Sequence, residues 1–181
     1  MKKNIESVVG LYPTPLVVVG AMVEGKANWL IAGHVGIVGH NRLLVSSMKN
    51  HYTNKGIKEN KVLSVSIVDE ALLPKADYVG SVSGAKTDKS EAFAWYRGDG
   101  GAPILEESPL VMECKVVDNY ETETFDNFIL EITATLADEN ILNEQGKIDY
   151  GVLKPILFEF PTYSYMKTGD FVGKCLKLNS K

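Results

Sequence analysis

Cysteine is nearly missing from this chain: only Cys114 and Cys175 occur in 181 residues. They lie far apart and form no Cys-x-x-Cys pair, which excludes a zinc knuckle and a dithiol redox motif and leaves both as packing residues. Histidine is equally scarce. His34, His40 and His51 are the three present, and none stands four residues from another, the helical spacing that zinc hydrolases use, so no metal site is expected. An excess of positive charge is absent too. The 19 basic against 23 acidic side chains leave a net charge of -4, which argues against a protein built to neutralise nucleic-acid phosphates or an anionic membrane. Tyr12, Pro13 and Pro15 interrupt the first apolar stretch, so neither a signal peptide nor a membrane span is read there, and the cytoplasm is the expected compartment. The spacing of Gly33, Gly36 and Gly39 is not that of a dinucleotide-binding turn, and Gly84 to Ser90 lacks the Gly-Lys-Ser/Thr order of a phosphate loop. No Gly-x-Ser-x-Gly elbow nominates a serine nucleophile.

What is present is a series of short β-type segments. A hydrophobic share of 45% over 181 residues suffices for one sizeable core, so residues 1–181 are read as a single domain. Leu16 to Val23 is apolar and β-branched, and Glu24-Gly25-Lys26 supplies a turn before a second apolar run to about Ala32, which predicts a hairpin. Arg42 to Met48 and Val62 to Val68 are further strands, separated by a polar segment, His51 to Asn60, suited to one short helix. Leu72, Leu73, Ala76, Val79 and Gly80 mark one face of a second helix with Pro74 in its first turn. Late in the chain Phe128, Leu130, Ile132, Ala134 and Leu136 alternate with mainly polar residues, and Pro109 to Asn119 is the expected antiparallel partner. The sum is a mainly β, antiparallel core of roughly six strands with a few short helices, closed or partly closed so that strand edges are not left open.

Two hydroxyl-rich segments carry the candidate chemistry. In Ser46 to Thr53, two hydroxyls at a strand end precede Lys49, His51 and Thr53 where a helix begins; these side chains and the unpaired helix-start N–H groups suit one phosphate. The same segment also reads as ordinary helix capping by Thr53 or Asn50. The second segment, Ser81 to Lys89, pivots on Gly84 and carries Lys86 and Lys89; alone it reads equally as a solvated turn. Two such loops on an acidic protein suit a phosphorylated cofactor better than a polymer.

The order of these motifs resembles the flavin reductase-like domain family, in particular its flavoredoxin-type branch. Gly25-Lys26-Ala27-Asn28 leading into an apolar strand, Ser46 to Ile57, Ala76 to Gly84 with Asp88-Lys89, Pro103 to Leu110, Phe128 to Ile132 and Gly146 to Asp149 follow in the family order. The resemblance spans about residues 13 to 170. It implies a six-stranded antiparallel Greek-key split β-barrel, a homodimer, and FMN bound non-covalently near the subunit interface. By position, Asn28, Trp29, Leu30, Ile31 and Ala32 would run beside the isoalloxazine ring. Ser46, Ser47, Lys49, His51 and Thr53 would approach the ring edge, ribityl chain and phosphate, while Ser83, Gly84, Asp88 and Lys89 would close over the cofactor. Trp29, His34 and Tyr52 are the aromatic candidates for lining the ring, and each suits burial in the core equally well.

The resemblance further implies an FMN-dependent oxidoreductase that takes hydride from NADH or NADPH and passes electrons to free flavin, a small electrophile or a partner redox protein. Flavin carries that chemistry itself, so no acid-base residue is required of the protein. The rival expectations are a non-enzymatic flavin-binding electron carrier and a split-barrel relative that has lost flavin.

Overall fold

The structure is a computed structural model that describes residues 1–178. The chain begins with β1 (Thr14–Pro15), β2 (Val17–Val23), β3 (Lys26–Ala32), β4 (Val35–Gly39), β5 (Arg42–Met48), α1 (Thr53–Asn60), β6 (Val62–Ile67) and α2 (Leu73–Ser81). It continues with β7 (Trp95–Arg97), β8 (Pro103–Leu105), β9 (Leu110–Glu121), β10 (Phe125–Ala137), a 3-10 turn (Glu139–Ile141), α3 (Tyr150–Leu153), β11 (Ile156–Glu159) and β12 (Ser164–Lys167). Seven strands form the main antiparallel sheet in the order β3-β2-β6-β9-β10-β5-β4, and β1-β11-β12 and β7-β8 form small sheets beside it. The main sheet thus has one strand more than the six expected, because Val35–Gly39 adds an edge beside β5.

Chain connectivity requires this sheet to roll up. Its two edges, β3 and β4, are joined by Gly33 and His34 alone. Such a link reaches about 10 Å, whereas six flat strand spacings would separate the edges by about 29 Å. The result is a split barrel: the edges come together at residues 33–34 without a ladder between them.

Strand β2 is buried on both faces along its whole length, which explains its unbroken apolar run. Val17, Val19 and Ala21 join the barrel interior with Leu30, Val45, Leu63, Phe128 and Leu130, while Val18 and Met22 join an outer cluster with Trp29, Phe93 and Leu105. Burying both faces removes the usual alternation. On β10 the expected alternation holds for the buried Phe128 and Leu130, but Leu136 is 38% exposed and Ala137 packs beneath Leu110 instead. A bulge between Ile132 and Ala134 inserts the extra residue that exchanges the two faces. Cys114 is buried as a packing residue and its thiol is pushed up to about 12 by burial, whereas Cys175 is exposed, contrary to the packing role expected of it. No helix among the described residues is long and apolar enough to cross a membrane.

Helix α1 lies directly on β2. Asn60 Nδ2 donates to the Met22 carbonyl at 2.9 Å, and a Cβ on Gly56 would stand 2.1 Å from that same oxygen. Helix α2 is pressed as closely on β3, where a Cβ on Gly80 would meet Ile31 Cγ2 at 2.4 Å. These two close approaches bring the start of α1 and the end of α2 to either side of β3.

Candidate functional site

The ends of the two helices frame adjoining clefts. The larger, about 430 Å³, is walled by Leu30, Ile31 and Ala32 on β3, Ser46 and Ser47 on β5, His51, Gly80 and an aromatic group from the end of the chain. The smaller, about 290 Å³, runs from Leu30 and His51 to Tyr52, Thr53, Ser83, Gly84 and Lys89. Leu30, His51, Gly80 and Ser81 belong to both, so the two spaces adjoin along these four residues. The large cleft is mainly apolar and the small one is ringed by hydroxyls, an amide and an ammonium.

The aromatic wall of the large cleft comes from places to which the sequence analysis assigned no function. Phe158, Phe160, Tyr163 and Tyr165 arrive on β11, β12 and their connecting turn, and Phe125 arrives at the start of β10. His34 does line the cleft: its Nε2 lies 2.7 Å from the Tyr12 hydroxyl and its ring centroid 5.5 Å from that of Phe160. Gly33 is what lets Phe158 in, since a Cβ there would stand 2.5 Å from its Cδ1. The signal in the sequence was the dense run Phe158, Phe160, Tyr163, Tyr165 within eight positions.

At the narrow end, Lys89 is the unusual residue. It is 5% exposed, and its ammonium donates to the backbone carbonyls of Val79 at 2.6 Å and Trp29 at 3.1 Å. No carboxylate pairs with it among the described residues. Burial therefore holds its pKa below the ordinary lysine value. An ammonium has three N–H bonds, so one remains beside the cleft after the two carbonyls are served. Thr53 is 2% exposed and accepts the Asn28 amide at 2.7 Å, which leaves its own O–H as a donor. A Cβ on Gly84 would come within 2.2 Å of Asn28 Oδ1 and 2.9 Å of the Tyr52 ring, so a bare backbone is needed there. A charged donor, a hydroxyl donor and a close backbone suit an anionic group such as a phosphate.

The residues nominated from the sequence divide clearly. Leu30, Ile31, Ala32, Ser46, Ser47 and His51 line the large cleft, and Tyr52, Thr53, Ser83, Gly84 and Lys89 the small one. Asn28 and Asp88 line a third, polar depression on the far side of Tyr52, where Asp88 pairs with Lys26 at 2.5 Å; that ion pair and the Ser90 amide hold its carboxyl well below the ordinary range. Two nominated residues lie elsewhere. The Trp29 ring is fully buried in the outer core, edge-on to Phe93 at 5.4 Å, because alternation along β3 turns residues 27, 29 and 31 toward that cluster. Lys49 reaches the β9–β10 hairpin and pairs with Glu121 at 3.0 Å, lining neither cleft. Nor does Thr53 cap α1: Tyr52 is the N-cap, with no side-chain cap bond.

Two residues without a nomination complete the site's support. Asn54 is 2% exposed and donates to Asp126 Oδ2 at 2.9 Å and to the Met48 carbonyl at 3.0 Å. Asp126 is fully buried; burial pushes its carboxyl up, but Lys58 at 2.7 Å and Asn54 outweigh this and leave its pKa below the ordinary value. A carboxyl whose folded pKa lies below its unfolded one stabilises the fold above the unfolded value, about 3.9, and loses that contribution as pH falls through the folded value. Melting temperature is therefore expected to fall on acidification below about pH 4, less steeply in Asp126→Asn. Equal acid slopes in calorimetry of the two proteins would remove Asp126 from that account.

Residues 9–164 match the family described as Flavin reductase like domain. Among solved structures, flavoredoxin from Methanosarcina acetivorans superposes with a TM-score of 0.94 at 39% identity, covering 99% of this chain and 98% of that one. Flavoredoxin of Desulfovibrio vulgaris gives 0.90 at 30% identity, covering 98% and 99%. A curated protein of Aeropyrum pernix is 28% identical over 134 residues, 68% of this chain, and the match spans about half of that relative, 49%. A match over most of the sequence, and a fold shared almost end to end with two flavoredoxins, place this chain in the flavin reductase-like domain family.

Proposed function

We propose that the chain binds FMN non-covalently, with the isoalloxazine ring in the large cleft and the phosphate at Lys89, and that it uses the flavin for two-electron transfer. The observation that carries this reading is the buried, carboxylate-free Lys89 ammonium at the narrow end of a cleft whose wide end is apolar and aromatic. A buried ammonium with no carboxylate partner among the described residues calls for an anion. A planar apolar body joined to one phosphate matches both halves. The family adds support, and so does the likeness to flavoredoxins at 39% and 30% identity.

When bound, flavin supplies the redox chemistry, and the protein binds it, orients the second substrate and excludes water. The aromatic wall formed by His34, Phe160 and their neighbours is apolar enough to receive a planar ring, which agrees with nicotinamide from NADH or NADPH as donor. Free flavin, a small electrophile or a partner redox protein is the proposed acceptor, and a cytoplasmic homodimer the proposed form. Anaerobic addition of NADH or NADPH to the FMN-loaded protein is expected to bleach the flavin bands within seconds. An electron carrier without a nicotinamide site would stay yellow until a protein donor is added.

One prediction separates this placement from the position-based one. Lys49→Ala is expected to change the FMN dissociation constant less than about twofold, since surface ion pairs such as Lys49–Glu121 contribute little. Flavin fluorescence quenching reads it directly, and a tenfold loss would return the phosphate to residues 49–53.

A further inference from the structure

We propose that His51 presents an unprotonated Nε2 to the meeting point of the two clefts as a hydrogen-bond acceptor for a ring N–H of the ligand, with its tautomer set by a buried relay that starts at Asp126. The inference rests on the flavin reading only for the identity of that ligand.

The relay follows from obligatory donor and acceptor roles. Asp126, ionised, can only accept, and it takes one N–H of Asn54 at 2.9 Å; the Met48 carbonyl, another pure acceptor, takes the other at 3.0 Å. The amide orientation of Asn54 is thereby fixed, with Oδ1 toward Ser47. That oxygen can only accept, so the Ser47 hydroxyl donates to it at 2.7 Å. Ser47 has one proton, now committed, and its oxygen lies 3.1 Å from His51 Nδ1. The remaining role for Ser47 toward His51 is acceptor, which puts the proton on Nδ1. A neutral imidazole carries a single ring proton, so Nε2 keeps its lone pair.

Packing makes these assignments firm. Ser47, Asn54 and Asp126 are 3%, 2% and 0% exposed, so water is not available to exchange roles with them. Nε2 makes no hydrogen bond among the described residues, whereas the Nε2 of His34 in the same cleft is held by Tyr12. Burial first, and the Lys89 charge second, disfavour the imidazolium and keep the ring in its accepting form. Asn54 and Asp126, which line neither cleft, act here as positioning residues, and Ser47, on the wall of the large cleft, passes their orientation to His51. Without them His51 would be free to turn a donor to the same spot.

The test is nitrogen-15 NMR of histidine-labelled protein, first without and then with added FMN. With the imidazole neutral, the flavin-free protein is expected to show His51 protonated at Nδ1, Ser47→Ala to show a tautomer mixture, and Ser47→Thr to restore the single form. Addition of FMN is expected to shift Nε2 toward the hydrogen-bonded acceptor range while Nδ1 stays protonated. A wild-type His51 carrying its proton on Nε2, or Nε2 unmoved by FMN that does bind, overturns the proposal. Failure of FMN to bind at all sinks the functional reading instead, and the tautomer in the flavin-free protein still decides the relay.

Discussion

Lys89→Met is expected to weaken FMN binding about 100-fold while changing riboflavin binding less than about threefold. A charge-assisted hydrogen bond contributes about 1.5 to 3 kcal/mol, and the upper end applies to a donor as buried as Lys89; about 1.4 kcal/mol is a factor of ten. Lys89 is 5% exposed, and among the described residues its ammonium meets only the carbonyls of Trp29 and Val79. Riboflavin lacks the phosphate and so supplies the control. Methionine is similar in length and keeps the packing, although the two carbonyls lose their donor and some stability goes with it. Circular dichroism first establishes that the variant is folded, and fluorescence titration then compares the two flavins. Equal losses for both would mean that Lys89 shapes the cleft and does not hold the phosphate.

The largest effect on stability is expected from Gly56→Ala. Alanine is normally the better helix residue by about 1 kcal/mol, so an isolated α1 would gain. In the folded protein the added methyl would stand 2.1 Å from the Met22 carbonyl oxygen and 2.8 Å from Val23 Cγ2. The carbonyl belongs to β2, whose neighbour β3 pairs with it along its whole length, and it already accepts Asn60 Nδ2. Backbone held on that side cannot rotate away, so α1 itself must move. Overpacking of this kind costs about 3 kcal/mol or more, which for a chain of this size lowers the melting temperature by about 6 to 12 °C. Gly36→Ala, which meets nothing within 4 Å, is expected to stay within about 0.5 kcal/mol. A neutral Gly56→Ala would show that α1 lies less tightly on β2. Because α1 carries Thr53 and Asn54, the same variant is expected to bind FMN more weakly.

Much of the fold was legible because its signals are local. The β2–β3 hairpin, helices α1 and α2 and the β9–β10 pair each follow from a period, a turn or an apolar face within about 15 residues. The bulge after Ile132 was not legible, since it depends on how β10 meets β9. The edge strand β4 escaped for the opposite reason. Ile37 and Val38 are exposed, so Val35–Gly39 has no alternating burial to betray it.

In the site, residue types proved easier to read than residue roles. Hydroxyls and lysines near residues 46–53 and 81–89 announced a local anion pocket, and both segments do frame one small cleft. Which lysine faces it was not a property of either segment. Lys49 is turned outward by Glu121, some 70 positions later, and Lys89 is held inward by carbonyls of β3 and α2.

By itself the sequence determined a mainly antiparallel β chain without metal-ligand, serine-nucleophile or dinucleotide-turn motifs, and placed hydroxyl-rich loops at two helix ends, because periodicity and turn chemistry act between near neighbours. Tertiary structure alone decided that the sheet rolls, that Trp29 faces the core, that aromatic residues of β11 and β12 wall the large cleft, and that Asp126, Asn54, Ser47 and His51 form one line. Those outcomes depend on distances between residues up to 100 or more positions apart, and only the burial of the whole core sets such distances.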